Sequence, residues 1–208
     1  MKNSEIKNQA LEALQGKWCG AVLVTFIYFA IVQCINMPIQ IAAFCNPALS
    51  LFKAFPFVVS VFIIIPMLYG FSMYFLNLCR SNEVNVSMLF DGFKDYARVF
   101  GTLLLTNVYT LLWMMLLIIP GIIKSLSYAL TPFIMVDNPE IKNNEAIELS
   151  MKMMDGYKMK LFLLQLGFIG WMILSILTLG IGLLWLIPYI QTSTAAFYED
   201  VKNGAELN

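Results

Sequence analysis

LFLLQLGFIGWMILSILTLGIGLLWLIPYIQTSTAAFY, residues 161–198, runs for 38 positions between Lys160 and Glu199 without an Asp, Glu, Lys or Arg. Three further uncharged runs precede it: 35 residues at 18–52, 26 at 54–79 and 25 at 99–123. The hydrocarbon core of a bilayer is about 30 Å thick and takes roughly 20 helical residues to cross. Four runs of this length place the chain in a membrane. The 38-residue run would extend about 57 Å as one helix at 1.5 Å per residue, too long for one pass. Gly180 and Gly182 straddle Ile181 in its middle and supply the break.

Composition agrees and excludes several functions. Hydrophobic residues make up 60% of the chain and charged ones 12%, against roughly 25% charged in soluble domains. Thirteen basic and thirteen acidic residues cancel, so the basic field of a nucleic-acid binder is absent. With no His, mixed Cys/His zinc sites and a His-based triad are excluded, and no cofactor is expected. Cys19, Cys34, Cys45 and Cys79 are widely spaced and read as small hydrophobes. A pairing of Cys45 with another cysteine has no support in the sequence. The first 18 residues carry Glu5 and Glu12 beside Lys2, Lys7 and Lys17, and the apolar stretch from Ala21 outruns a signal-peptide core. That stretch is expected to be a retained membrane helix.

The fold class that follows is an all-α polytopic membrane bundle of about six crossings with amphipathic interfacial helices. The expected crossings are Ala21–Pro38, Phe57–Cys79, Val99–Ile119, Ile122–Val136, Lys160–Leu177 and Gly182–Tyr198. Asn46, Pro47 and Pro56 break the chain after the first, and Pro120-Gly121 is expected to end the third, since proline lacks an N–H and clashes with the preceding turn. Asp137 or Asn138 is expected to cap a surface helix over Pro139–Asp155. Its apolar side would be Ile147, Met151 and Met154, and its charged side Lys142, Glu145, Glu148 and Lys152. An even count puts both termini on one side. Only Lys53 and Lys124 of the thirteen basic residues then fall opposite, so the positive-inside rule predicts cytoplasmic termini in a bacterial inner membrane.

Three stretches look alike: LEALQGKW at 11–18, MLFDGFK at 88–94 and MMDGYK at 153–158. Each ends an amphipathic stretch on a glycine and leads into a crossing. They divide a single membrane domain, 1–208, into units 6–79, 86–136 and 140–198. The alternative is that helix-end glycines and interfacial aromatics recur in any multi-span protein.

Ile119-Pro120-Gly121-Ile122, Ser127-Tyr128 and Asp137-Asn138-Pro139 carry a resemblance, together with Glu145-Ala146-Ile147, Ser150, Met154 and Gly156. So do Phe168-Ile169-Gly170-Trp171, Thr178-Leu179-Gly180-Ile181-Gly182, Pro188-Tyr189 and Phe197-Tyr198. The combination resembles an uncharacterised bacterial integral-membrane family, the domain of unknown function numbered 975. The resemblance spans nearly the whole chain and implies a multi-helix inner-membrane protein. It implies no reaction, ligand or catalytic residue.

Ionisable groups at membrane depth are the usual pointer to mechanism. No acid lies inside a crossing. Lys124 alone does, near the expected outer end of the fourth, where it either snorkels to headgroups, caps a helix end, or meets an anion or lipid phosphate. Asn107 and Gln165 sit mid-crossing. Either they are interhelical packing contacts, or they line a polar cavity with Tyr189 and Gln191. Two functions stay open: a transporter or permease for a small or lipidic substrate, and a non-transporting membrane partner, assembly or protective factor. No HExxH, GxSxG or pair of membrane-depth acids is present, so no enzyme is expected. The expected partners are membrane lipids, a small or lipidic substrate or a membrane protein, and not nucleic acid.

Overall fold

The computed structural model describes residues 1–46 and 54–206, and these are helical throughout apart from short turns. In chain order they form α1 (Asn3–Leu14), α2 (Trp18–Cys45), α3 (Ala54–Cys79), a 3-10 helix (Val86–Phe93), α4 (Tyr96–Leu116), α5 (Ile118–Tyr128), α6 (Thr131–Asp137), α7 (Asn144–Met153), α8 (Lys158–Leu166), α9 (Ile169–Leu177) and α10 (Leu183–Glu206). Five stretches are long and apolar enough to cross a membrane: Trp18–Pro38, Val58–Cys79, Tyr96–Leu116, Ile118–Asp137 and Lys158–Leu177. The sixth expected crossing, Gly182–Tyr198, falls on α10, which carries Pro188 and the polar run Gln191–Thr194 and is not among these five.

Several expected boundaries are corrected. The third helix stops at Leu116, and extended Leu117 (φ −157°) makes the turn rather than Pro120-Gly121. Pro120 sits in the first turn of α5, where its missing N–H costs no intrahelical bond. The fourth span therefore starts at Ile118 and reaches full length, not the short Ile122–Val136. Gly121 serves the hairpin differently, because a Cβ there would lie 2.6 Å from the Met114 side chain on α4. α2 continues through Pro38 to Cys45, and Pro56 lies in the first turn of α3. Pro47 and Lys53 lie outside the described residues. The surface helix is shorter than expected: residues 139–143 are not helical, and Asn143 precedes α7 with no side-chain cap. Asp137 and Asn138 cap nothing there, because Asp137 is committed elsewhere.

The spans divide by exposure. Val58–Cys79 and Ile118–Asp137 are half or more buried in protein, whereas the first, third and fifth spans are mostly exposed. Within α10, Thr192, Ser193 and Ala195–Tyr198 are buried. Each hairpin thus contributes one peripheral helix and one core helix. Leu76 of α3, Phe133 and Ile134 of α6, and Phe197, Tyr198 and Val201 of α10 meet in one apolar cluster. The Phe133 and Tyr198 rings stack at 5.7 Å. Within lipid such a cluster is held by close packing rather than by escape from water. Pro66 inside α3 leaves the Phe62 carbonyl without its helical donor, and the Tyr96 hydroxyl donates to it at 3.2 Å. An orphaned carbonyl in hydrocarbon is expensive, so this bond pins the start of α4 to α3.

The glycines of the three similar stretches behave unequally. Gly16 (φ +74°) and Gly156 (φ +76°) turn left-handed after α1 and α7. Gly92 instead lies within the 3-10 helix, where a Cβ would collide with the Pro66 carbonyl oxygen. The turn at 178–182 separates α9 from α10, as its glycines foretold. Gly180 has φ +85°, and Gly182 packs so that a Cβ would lie 2.8 Å from Ser175 Oγ. Gly180→Ala should therefore lower stability by about 1–2 kcal/mol. Gly170→Ala, in helical α9 with no neighbour near its Cβ position, should be neutral or stabilising by about 0.5–1 kcal/mol. Thermal melts of the two variants in detergent would show this opposite sign.

Candidate functional site

The most concentrated polar chemistry lies where the three core helices end. Arg80 closes α3, Asp137 closes α6, and Tyr198, Glu199 and Lys202 lie on α10. Arg80 donates through Nη1 and Nη2 to the two Asp137 oxygens at 2.7 and 2.8 Å, the bidentate fork that guanidinium and carboxylate geometry favour. Its Nε donates to Glu199 at 2.8 Å. Asp137 Oδ2 also accepts from Tyr198 Oη at 2.9 Å and Lys202 Nζ at 2.7 Å. Two cations face two anions, and the Asp137 side chain is 9% exposed against 28% for Arg80. The hydrogen bonds from Arg80 to Asp137, reinforced by Glu199, push the guanidinium pKa up and keep it charged.

A second tie lies beside it. Asp200 accepts from the N-terminal ammonium at 2.9 Å and from Lys160 Nζ at 2.6 Å. Lys17 Nζ reaches the Asn82 carbonyl at 3.4 Å. These contacts gather Met1, the later part of α10, the start of the first span, the ends of the second and fourth, and the start of the fifth at one end of the molecule. Arg98 fastens the third there too, donating to the Ile141 carbonyl at 3.2 Å.

The residues expected to line one polar cavity do not converge. Asn107 donates to its own helix at Leu103 O, 2.7 Å, and faces an apolar α3–α4 groove of about 410 Å³ shared with Ser60, Ile64 and Leu68. Gln165 is exposed on α8, and Gln191 is half-buried on α10. Tyr189 lies edge-on to Phe168 at 5.0 Å and lines a different groove of about 460 Å³ between α1, α9 and α10. Many other hydroxyls and amides bond backward in the same way: Thr25, Asn36, Asn77, Thr106, Ser127, Thr192 and Thr194 each donate to the carbonyl four residues earlier, whereas Ser150 donates to Ser127 O across helices and Thr131 Oγ1 is buried without a partner among the described residues. Lys124 rests on α7 and α4, with Nζ 3.8 Å from Met151 Sδ and 5.2 Å from the Trp113 ring. The surface helix docks through Ala146, Ile147, Ser150 and Met154, while Met151 is half-buried.

Sequence reading missed the Arg80–Asp137–Glu199 junction, although its signal is present. Each of the three is the first charged residue after the apolar stretch that forms a core helix. All four cysteines are free.

A core of paired helices tied at one end, with long apolar flanks, defines a multi-span, all-helical membrane protein. The chain belongs to the family described as "Protein of unknown function (DUF975)", which it matches over residues 1–124 and 114–205. No curated protein and no solved structure matches it.

The junction generates two expectations. Asp137→Asn leaves Arg80 and Lys202 short of an anion and should cost roughly 2–3 kcal/mol, the range for hydrogen bonds to charged groups. Lys94→Ala breaks an exposed ion pair with Asp91 and should cost about 1 kcal/mol or less. Comparing their melts in detergent checks the contrast. Burial would raise the Asp200 pKa, but the hydrogen bonds from Lys160 and the N-terminal ammonium outweigh it and hold it below its ordinary 3.8. Because the folded value is depressed, its stabilisation is complete above pH 3.8 and is lost as pH falls through the folded value. The wild-type advantage over Asp200→Asn should therefore be constant at neutral pH and shrink below pH 3.8, measured by parallel melts.

Proposed function

We propose that this protein is a non-transporting factor of the bacterial plasma membrane, which holds lipid or a partner protein against its apolar flanks. Its polar groups carry this reading. Most hydroxyls and amides of the helices bond to their own backbones, with Ser150 bonding instead to Ser127 O on α5 and Thr131 Oγ1 buried without a partner among the described residues, and two grooves beside the core are lined mainly by hydrocarbon and aromatic rings. A transporter of a polar solute needs converging groups or an interrupted helix aimed at a central site, and Asn107, Gln165, Tyr189 and Gln191 do not supply one. The flanks are exposed over long apolar stretches, such as Leu111–Ile119 and Trp171–Leu174, which only lipid or another membrane protein can cover. On this reading the chain is not an enzyme.

The topology proposed with it has six crossings and both termini in the cytoplasm. The tie of Met1 to Asp200 supports an even count, and the basic residues gathered at that end support its orientation. The alternation of a peripheral helix with a core helix supports a threefold hairpin repeat over 6–79, 86–136 and 140–198.

Single cysteines at Asn107, Gln165 and Gln191, in a background lacking the four native ones, test the functional reading. A membrane-impermeant maleimide should label none of them in intact cells or in inverted vesicles. A control cysteine at Lys94 should label only in inverted vesicles. Labelling of all three would establish a hydrated path and return the protein to the transporters.

A further inference from the structure

Three of the four tryptophans of the chain, Trp18, Trp171 and Trp185, line the same groove with Leu11, Leu174 and Tyr189. Its volume of about 460 Å³ lies in the range of roughly 300–1,000 Å³ that holds small ligands. Its walls offer almost no free hydrogen-bonding groups. Ser175 Oγ donates to Trp171 O at 2.8 Å, Thr178 Oγ1 donates to Ser175 O at 2.8 Å, and Thr178 Oγ1 in turn accepts from Gly182 N at 3.0 Å. What remains is hydrocarbon and aromatic rings, with the indole N–H groups of the tryptophans and the Tyr189 hydroxyl as the polar tips. Trp171 and Trp185 are 60% and 50% exposed, so the groove opens to the surroundings of the helices, where a bilayer supplies acyl chains.

The rim is basic. Lys7 lies four residues before Leu11 on the same face of α1. Its ammonium sits 4.3 Å over the Phe168 ring and donates to Gly167 O at 3.2 Å. Phe168 touches Tyr189 in the groove wall, at 5.0 Å between rings. Lys17 adjoins Trp18 and donates to Asn82 O. Each ammonium has three donors and uses one. Neither lysine forms an ion pair among the described residues, unlike Lys160 and Lys202, which bind carboxylates. Of the acids nearest in sequence, Glu5 accepts from Lys2 N at 2.7 Å, and Glu12 follows Leu11 by one residue, about 100° around the helix.

We propose that the α1–α9–α10 groove is a binding site for one anionic phospholipid, with an acyl chain among Trp18, Trp171 and Trp185 and the phosphate received by Lys7 and Lys17. Aromatic rings are favoured where one end of a ligand is apolar and the other wet. A basic side chain at an anionic membrane surface contributes about fivefold in lipid preference. The proposal names the ligand of the lipid-holding reading above and rests on it.

Brominated acyl chains quench tryptophans they touch, which provides the test. The full chain, with only Trp171 and Trp185 retained, is reconstituted in phosphatidylcholine vesicles. A minor fraction of brominated phosphatidylglycerol or brominated phosphatidylcholine is then added. The anionic lipid should quench at roughly fivefold lower mole fraction than the zwitterionic one for each lysine engaged. Lys7→Gln and Lys17→Gln should each reduce that preference, Lys7→Arg should preserve it, and a variant retaining only Trp113 should show none. Equal quenching by the two lipids in the wild type, or an unchanged preference in the Lys7→Gln, Lys17→Gln double variant with an unaltered melt, would overturn the site. Thiol labelling from water at 107, 165 and 191 would sink the non-transporting reading while leaving this lipid preference measurable.

Discussion

The charge junction of Arg80, Asp137, Glu199 and Lys202 is the constraint on which the rest of the molecule depends. It joins the ends of α3, α6 and α10 through bidentate and single hydrogen bonds of 2.7–2.8 Å. Ionic groups near a membrane are costly unless paired, and here two cations and two anions neutralise one another. That fixes the register of three core helices at once. Above the junction the cluster of Leu76, Phe133, Ile134 and Phe197 can then pack in one arrangement. A second tie, Asp200 with the N-terminus and Lys160, brings α1 and α8 to the same end.

The peripheral helices follow from this arrangement. With α3, α5–α6 and α10 in the middle, α2, α4 and α8–α9 are left on the outside with most of their apolar surface uncovered. Most of their Thr, Asn and Ser side chains turn back onto their own carbonyls, while Thr102 of α4 accepts from Asn143 N. The result is a polar end and a body whose flanks are shaped for hydrocarbon. The groove framed by Trp18, Trp171 and Trp185 is one concave part of those flanks.

Much of this was legible in the sequence. Uncharged runs gave the helices, because charge is what hydrocarbon excludes most strongly, and the break at Gly180 followed from its lack of a side chain. The misreadings have specific causes. Proline at 120 signals an interruption, but proline also opens helices, and sequence alone does not say which side of it the turn takes. Asp137-Asn138-Pro139 has the composition of an N-cap, yet Asp137 was claimed by Arg80, 57 residues earlier in the chain. The cavity of Asn107, Gln165, Tyr189 and Gln191 rested on depth alone, and depth does not say which way round a helix a side chain points. Glycines 92 and 156 have the most similar neighbours, Asp-Gly-Phe-Lys and Asp-Gly-Tyr-Lys, while Gly16 sits in the more divergent Gln-Gly-Lys-Trp. Only the backbone separates the left-handed turns at 16 and 156 from the close approach at 92.

The junction also bears on how the chain is made. Its hydrogen bonds join residues 57, 61, 65 and 119 positions apart, and the N-terminus meets a residue 199 positions away. During synthesis Arg80 emerges long before Asp137, and both precede Glu199 and Lys202. Early hairpins must therefore reside in the bilayer with their inner charges solvated by water or lipid headgroups. The last helix completes the lock. Assembly consequently runs in two phases: insertion of apolar hairpins one after another, then closure when the C-terminal segment leaves the ribosome. A chain arrested before residue 199 would hold the Arg80–Asp137 pair without Glu199 and Lys202, leaving that end of the bundle unlatched.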